Sequence, residues 1–367
     1  MTAHRIPFGV AGRCTSFMHT SFIMTGPRNL VTDVPGVLVG NAHDERLASG
    51  VTVALFEEAA VASGIILGGA AANRDTACLE PEAAVERVNG IVLSGGSGFG
   101  LDAASGVQAW MRERSIGIAV GRMRVPIVPQ AICFDLLNGG DKDWGRYPPY
   151  RELGYAAADR AGPAFALGTA GGGYGATTVD LKGGLGSASA VTPSGFIVGA
   201  LVVVNAIGSA VIGGGPHFWA APFEESDEFG GLGSPRQVTP QMRRLAWKGG
   251  PAPGTTIALV ATDAALSKAM AKRLAISAHG GLAKALSLSH ALYDGDTVFS
   301  AATCRKSLGD AANEIIEICA VAAGCMARAV ARGVYEAASL PFPGALPAWK
   351  DRYPVNAGAE RSHPPQS

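Results

Sequence analysis

The chain has 367 residues, 30 basic and 30 acidic, so its formal charge is zero. A balanced surface has no general attraction for phosphate backbones or anionic lipid, which argues against nucleic acid and membrane surfaces as partners. Hydrophobic residues reach 48% and glycine fills 50 positions without a three-residue period, so neither a disordered nor a collagen-like chain fits.

The first residues, Met1 to Gly26, lack the charged-then-apolar order of a signal peptide. Met18 and Met24 precede the first clear folded segment, so residues 1–28 read as an N-terminal extension, or the true start lies further in. Short apolar runs bounded by glycine follow: Val37–Val39, Val51–Phe56 and Gly64–Gly68, each the length of a strand. Ile91–Leu93 runs into the glycine loop Ser94–Gly100, and Leu101–Arg114 then carries apolar residues at helical spacing. Gly117–Val120 and Val125–Val128 read as strands or bridges, and Tyr155–Arg160 as a helix. From Leu181 to Ile212 three apolar runs, separated by Pro193-Ser-Gly195 and Asn205–Gly208, suggest an antiparallel meander. Pro216–Gly254 is polar and rich in Pro and Gly, with Glu224–Glu228 expected at the surface and a short helix at Gln241–Trp247; it is the best candidate linker. Beyond it come a strand at Ile257–Ala261, a helix at Ser267–Leu286 capped by Ser267, a strand at Thr297–Thr303 and a long small-residue helix at Ala311–Ala338. The tail from Pro341 is rich in proline and should wrap the surface or be loose. Strands precede helices in blocks, which favours a layered α+β sandwich over a doubly wound sheet.

Six cysteines, Cys14, Cys78, Cys133, Cys304, Cys319 and Cys325, form no C-x-x-C pair and read as free thiols of a reduced, hence cytoplasmic, compartment. No uninterrupted apolar stretch reaches the ~18 residues that suggest a membrane-spanning helix.

Several segments could carry chemistry. Gly98-Phe-Gly100-Leu-Asp-Ala103 fits G-x-G-x-x-A between a strand and a helix, where backbone amides can hold a nucleotide phosphate. No acid waits about 20 residues on for a ribose. Ser97 in Gly95-Gly-Ser-Gly-Phe99 misses the G-x-S-x-G elbow, and His279 reads as a buried, hydrogen-bonded side chain. His290, Asp294 and Asp296 lie close enough to suggest a metal, but one histidine makes a poor ligand set, and no metal is expected. Gly254-Thr255 joins a Pro/Gly loop to a buried strand. It reads either as a turn or as a self-cleavage point. A hydroxyl directly after a glycine can attack the preceding carbonyl, and hydrolysis then frees an α-amine whose ordinary pKa of about 7.7–8.0 suits a general base. Asp294-Gly-Asp296 is a solvated turn, or, if the following strand begins at Asp294, a pair of carboxylates on one face that titrate together. Lys182, among apolar residues and glycines, is a surface charge or a partly buried cation near an amine.

These segments together resemble the DmpA-like aminopeptidases of peptidase family S58, which include the β-peptidyl aminopeptidases and the nylon-oligomer hydrolases. The resemblance runs from about Leu30 to Tyr353. It rests on Thr32-Asp-Val-Pro-Gly-Val-Leu-Val-Gly40, Leu93-Ser-Gly-Gly-Ser-Gly-Phe-Gly-Leu101, Val125-Pro-Ile-Val-Pro129, Leu181-Lys-Gly-Gly-Leu-Gly-Ser-Ala-Ser189, Val203-Val-Asn205, Gly254-Thr-Thr-Ile-Ala-Leu-Val-Ala-Thr-Asp263 and Asp294-Gly-Asp-Thr-Val-Phe299. It implies an αββα sandwich of the DmpA/ornithine-acetyltransferase type, similar to N-terminal-nucleophile hydrolases. It also implies a chain that cuts itself before Thr255. An α part (29–254) and a β part (255–340) then stay associated in one domain, ahead of a Pro-rich tail (341–367), and the αβ units assemble as a homo-oligomer such as a tetramer. By the same resemblance Thr255 is the nucleophile and its amine the base. Asn205 stabilises the oxyanion, and Lys182, Asp294 and Asp296 orient the nucleophile. The substrate is a short peptide, β-peptide or ω-amino-acid oligomer, and no cofactor is needed. Two departures stand out. The residue before the cut is Gly254, as in the aminopeptidase branch, where the nylon hydrolases have Asn. Phe134, in the substrate pocket, replaces a family tyrosine and cannot donate a hydrogen bond. The alternatives are an acyltransferase of the ornithine-acetyltransferase type and a nucleotide-binding protein using Ser94–Gly100.

Overall fold

The computed structural model describes residues 23–249 and 253–354. Met1, Met18, Cys14, Pro251, nearly all of the expected extension and the last part of the tail lie outside that range.

Strand β1 (Val37–Asp44) pairs antiparallel with β2 (Ser49–Ile66), an 18-residue strand that takes in two of the expected short ones. β2 bends where Glu57 and Glu58 face solvent and its pairing with β3 (Arg87–Ser94) slips register. Before the bend it pairs with β1; after the bend the same edge pairs with β8 (Thr297–Lys306), so one strand passes between two sheets. One sheet is β1-β2-β3-β4, with β4 (Gln130–Ile132) parallel to β3. The other is β5 (Gly184–Val191), β6 (Ile197–Asn205), β7 (Thr255–Ala264), β8 and the far end of β2. Within it β6 and β7 are antiparallel and β7 and β8 parallel.

Alternation along the strands makes the layers. On β6 and β7, Leu201, Val203, Ile257 and Leu259 meet Ala54, Phe56 and Leu93 between the sheets. Their neighbours Val202, Val204, Ala258 and Val260 face outward beneath α3 (Lys268–Ala285) and α4 (Ala311–Tyr335). On the opposite face Val51, Val53 and Val92 lie under α1 (Ala103–Glu113) and α2 (Tyr150–Asp159). The order is helix, sheet, sheet, helix, as expected of an αββα sandwich. Ser267 caps α3 through Met270 N–H, as its position suggested. The small residues of α4 serve contact within the chain: a Cβ at Gly186 would stand 1.8 Å from the Ala329 carbonyl. None of the described helices is long and apolar enough to cross a membrane.

Four local expectations are corrected. The meander has two strands, not three. β7 takes the edge beside β6, and Ser209–Ile212 makes only bridges, Ser209 to Ser287 and Val211 to Phe218. Gln241–Trp247 holds one 3-10 turn, Gln241–Arg243. Glu224–Glu228 is not wholly at the surface, because the buried Arg328 draws Glu228 inward and Arg332 bonds it too. The tail does not merely wrap: Trp349 is fully buried, stacked on Phe218, and its indole N–H donates to Pro216 O.

Candidate active site

The parallel pairing of β7 and β8, and the antiparallel pairing of β6 and β7, bring three chain segments to one end of the sheet. Asn205, the last residue of β6, lies directly across from Thr255, the first of β7. The turn Asp294–Asp296 enters β8 beside them, and Thr256 N–H donates to Asp296 Oδ1 at 2.9 Å. Four of the expected site residues therefore meet.

At the junction the Thr255 hydroxyl donates to the Gly254 carbonyl at 2.5 Å, and Gly295 N–H donates to the same oxygen at 3.1 Å. Gly254 N–H is held by Tyr293 O. Glycine is required at 254 for a reason other than open approach. A Cβ there would stand 2.2 Å from the Ile207 nitrogen, so that side is closed by backbone. At Gly295 a Cβ would meet Thr255 Cγ2 at 2.7 Å and Oγ1 at 2.9 Å.

The aspartates are buried, not solvated, and they precede β8, which starts at Thr297. Burial and the neighbouring Asp296 carboxylate push Asp294 up to about 8. Burial alone would raise Asp296 too, but donors from His290 and Thr256 outweigh it and hold Asp296 below the usual carboxylate range. Among the described residues no donor reaches Oδ2 of Asp294. A protonated Asp294 carboxyl can donate where a carboxylate only accepts. His290 Nδ1 meets Asp296 Oδ2 at 2.8 Å. Among the described residues no three His, Cys, Asp or Glu side chains gather as a metal site would require.

Asn205 meets three partners, which use one of its two Nδ2 hydrogens. Its Nδ2 donates to Phe134 O at 2.9 Å, and its Oδ1 accepts from Thr177 N–H at 3.0 Å and from Lys248 Nζ at 3.2 Å. Phe134 thus contributes its carbonyl as well as its ring. Lys182 is fully buried, and its three hydrogen bonds go to the carbonyls of Gly173, Ala176 and Gly183 at 2.9–3.0 Å. Those bonds leave it no donor for Thr255 in the uncut chain, against the expected orienting role. Burial pulls its ammonium down to about 7, and that of Lys248 to about 8.

Lys182, Lys248, Phe134, Asp135 and Pro253 line one cavity of about 270 Å³, with Leu340 and Leu346 in its apolar lining. Thr255 is buried and does not line it, whereas Pro253, two residues ahead, does. Lys248 and Asp135 escaped the sequence reading. Lys248 sits in a polar segment without periodicity. Asp135 follows Phe134 directly, but its partners, the Ser49 hydroxyl at 2.6 Å and Gly96 N–H at 2.7 Å, come from distant strands and loops. Those bonds also bear on the glycine loop. The amides of Gly95, Gly96, Ser97, Phe99 and Gly100 all donate within the chain, which leaves the loop poorly furnished for a phosphate. His279 is buried with Nε2 at 3.1 Å from Ile65 O, as expected.

The sequence model of peptidase family S58 matches residues 29–345. The chain belongs to peptidase family S58. Its members are peptidases, so this chain is an amide-bond hydrolase. It is 39% identical to an uncharacterized aminopeptidase of Mycobacterium tuberculosis, over 90% of this chain and 100% of that one. It is 27% identical to the 6-aminohexanoate-oligomer endohydrolase of Paenarthrobacter ureafaciens, over 76% of each. Among solved structures, a Burkholderia beta-aminopeptidase superposes with a TM-score of 0.64 at 21% identity, over 90% of this chain and 93% of that one. The L-aminopeptidase D-Ala-esterase/amidase of Ochrobactrum anthropi, described as a variant of the Ntn hydrolase fold, gives 0.65 at 22%, over 88% and 91%. The likeness to these solved structures shows the fold, an α+β sandwich.

Proposed function

We propose that this S58 chain cuts itself between Gly254 and Thr255, and that Thr255 then hydrolyses short peptides, β-peptides or ω-amino-acid oligomers through an acyl-enzyme. The observation that carries the proposal is the Gly254 carbonyl, which receives the Thr255 hydroxyl from one side and Gly295 N–H from another. The hydroxyl oxygen bonds to the Gly254 carbonyl carbon and the carbon–nitrogen bond breaks. The hydroxyl proton ends on the Thr255 nitrogen, and water releases Gly254 as a carboxylate. During attack Gly295 N–H faces the oxygen that gains charge, the arrangement that stabilises an oxyanion. The freed amine, with an ordinary pKa of about 7.7–8.0, then serves as base for the same hydroxyl. Displacement of Pro253 and Gly254 joins the cavity to Thr255. Asn205, across the strand pair, supplies the oxyanion donor for substrate. These substrate classes are supported by the names of similar proteins, an aminopeptidase, a 6-aminohexanoate-oligomer endohydrolase and a beta-aminopeptidase.

A denaturing gel with N-terminal sequencing tests this. Wild type should give fragments of about 26 and about 11.5 kDa, in proportion to 254 and 113 of the 367 residues, the smaller beginning at Thr255. Thr255→Ala should stay one 37.4 kDa band and be inactive. A wild type that is both uncut and active overturns the proposal.

A further inference from the structure

The loop ahead of the aspartate pair is strained. Leu288 and His290 both take positive φ, +74° and +60°, which costs a residue with a side chain and persists where surroundings demand it. At His290 the demand is visible: its backbone N–H and its ring Nδ1 both reach one oxygen, Asp296 Oδ2, at 2.8 Å each. An ionised carboxylate only accepts, so Nδ1 carries the hydrogen. The other Asp296 oxygen takes Thr256 N–H. Asp296 is thereby clamped between the residue after Thr255 and an imidazole. The carboxylate is wholly buried, whereas the His290 side chain is 24% exposed.

The surrounding charges are few. His279, from α3, meets the His290 ring edge-on at 4.9 Å, and burial pulls it down to about 4, so that ring is neutral. Asp294 faces Asp296 from the same turn, and Lys248 acts on Asp294 from the segment before the cut.

We infer that His290 is a positioning residue which holds Asp296 in register with Thr255. The inference rests on Thr255 being the nucleophile. His290 touches no reacting atom. It acts through Asp296, and Asp296 acts through the backbone of β7 and through Asp294. The strained turn lets backbone and ring converge on a single oxygen.

Two variants test it. His290→Ala removes the ring bond. His290→Asn sets an amide nitrogen near the place of Nδ1 and tolerates positive φ. With melting temperatures close to wild type, His290→Ala should lower kcat on the order of 10–100-fold with KM little changed, as when a partner that orients a working group is lost. His290→Asn should recover most of kcat. A His290→Ala enzyme with wild-type kcat overturns the inference. So does a His290→Asn enzyme as impaired as His290→Ala. The same gel run on wild type separates the two readings, because an uncut, active wild type removes Thr255 as nucleophile whatever the histidine variants do.

Discussion

Gly295 is the residue on which a single methyl group decides most. It donates to the Gly254 carbonyl, the proposed point of attack, and its missing side chain is the space Thr255 occupies. Gly295→Ala should stop or strongly slow self-cleavage while leaving a folded chain, read as one band on a gel with a preserved far-UV spectrum. Asn205→Ala removes the proposed oxyanion donor; in already cut enzyme kcat should fall about 10²–10³-fold, or about 2.7–4 kcal/mol of barrier. Asp294 gives a pH signature. Its folded pKa of about 8 stands above the unfolded 3.8, so the folded state holds the extra proton in that interval. The stability it contributes is complete below about pH 4 and is lost as pH rises through 8, with a slope of up to about 1.4 kcal/mol per pH unit. Asp296, shifted the other way, acts only below that interval. Urea unfolding of Thr255→Ala against Thr255→Ala with Asp294→Asn should show the decline in the first and its absence in the second.

Among elements, α4 is tied to the sheet by charge as well as by small residues. Arg328, inside the helix, bonds Glu228 at 2.5 Å, Asn29 Oδ1 at 2.8 Å and Ser189 O at 3.1 Å. Glu228→Ala leaves that guanidinium buried without its counter-charge and should cost about 3–5 kcal/mol of unfolding free energy, measured in urea. Nothing near Glu228 in sequence announces this, because its partner lies 100 residues away. The elements themselves were more legible. Ser267 capped the helix it was expected to cap, and continuous apolar runs marked β6 and β7. The bend of β2 was mistaken for a gap between two strands, since Glu57 and Glu58 interrupt the apolar pattern at the point where the strand changes sheets. At the site, Thr255, Asn205 and the two aspartates were legible from short motifs. Lys248 and His290 were not read as parts of it, because their partners are set by which strands lie side by side.

At the scale of the whole molecule, the tail reaches both the core and the cavity. Leu340 and Leu346 line the pocket, and Trp349 locks behind them against Phe218. Trp349→Ala should destabilise the fold by about 3–5 kcal/mol and also raise KM, since the wall it anchors would loosen. Thermal unfolding and steady-state kinetics check the two effects separately. The sheet has a larger implication. β7 begins at the proposed break, yet it is flanked by β6 from upstream and β8 from downstream, and β8 in turn borders β2. Severed there, the two polypeptides would be interleaved like the teeth of a zip. Neither could keep its shape after the other left, so dilution would never part them and only a denaturant would.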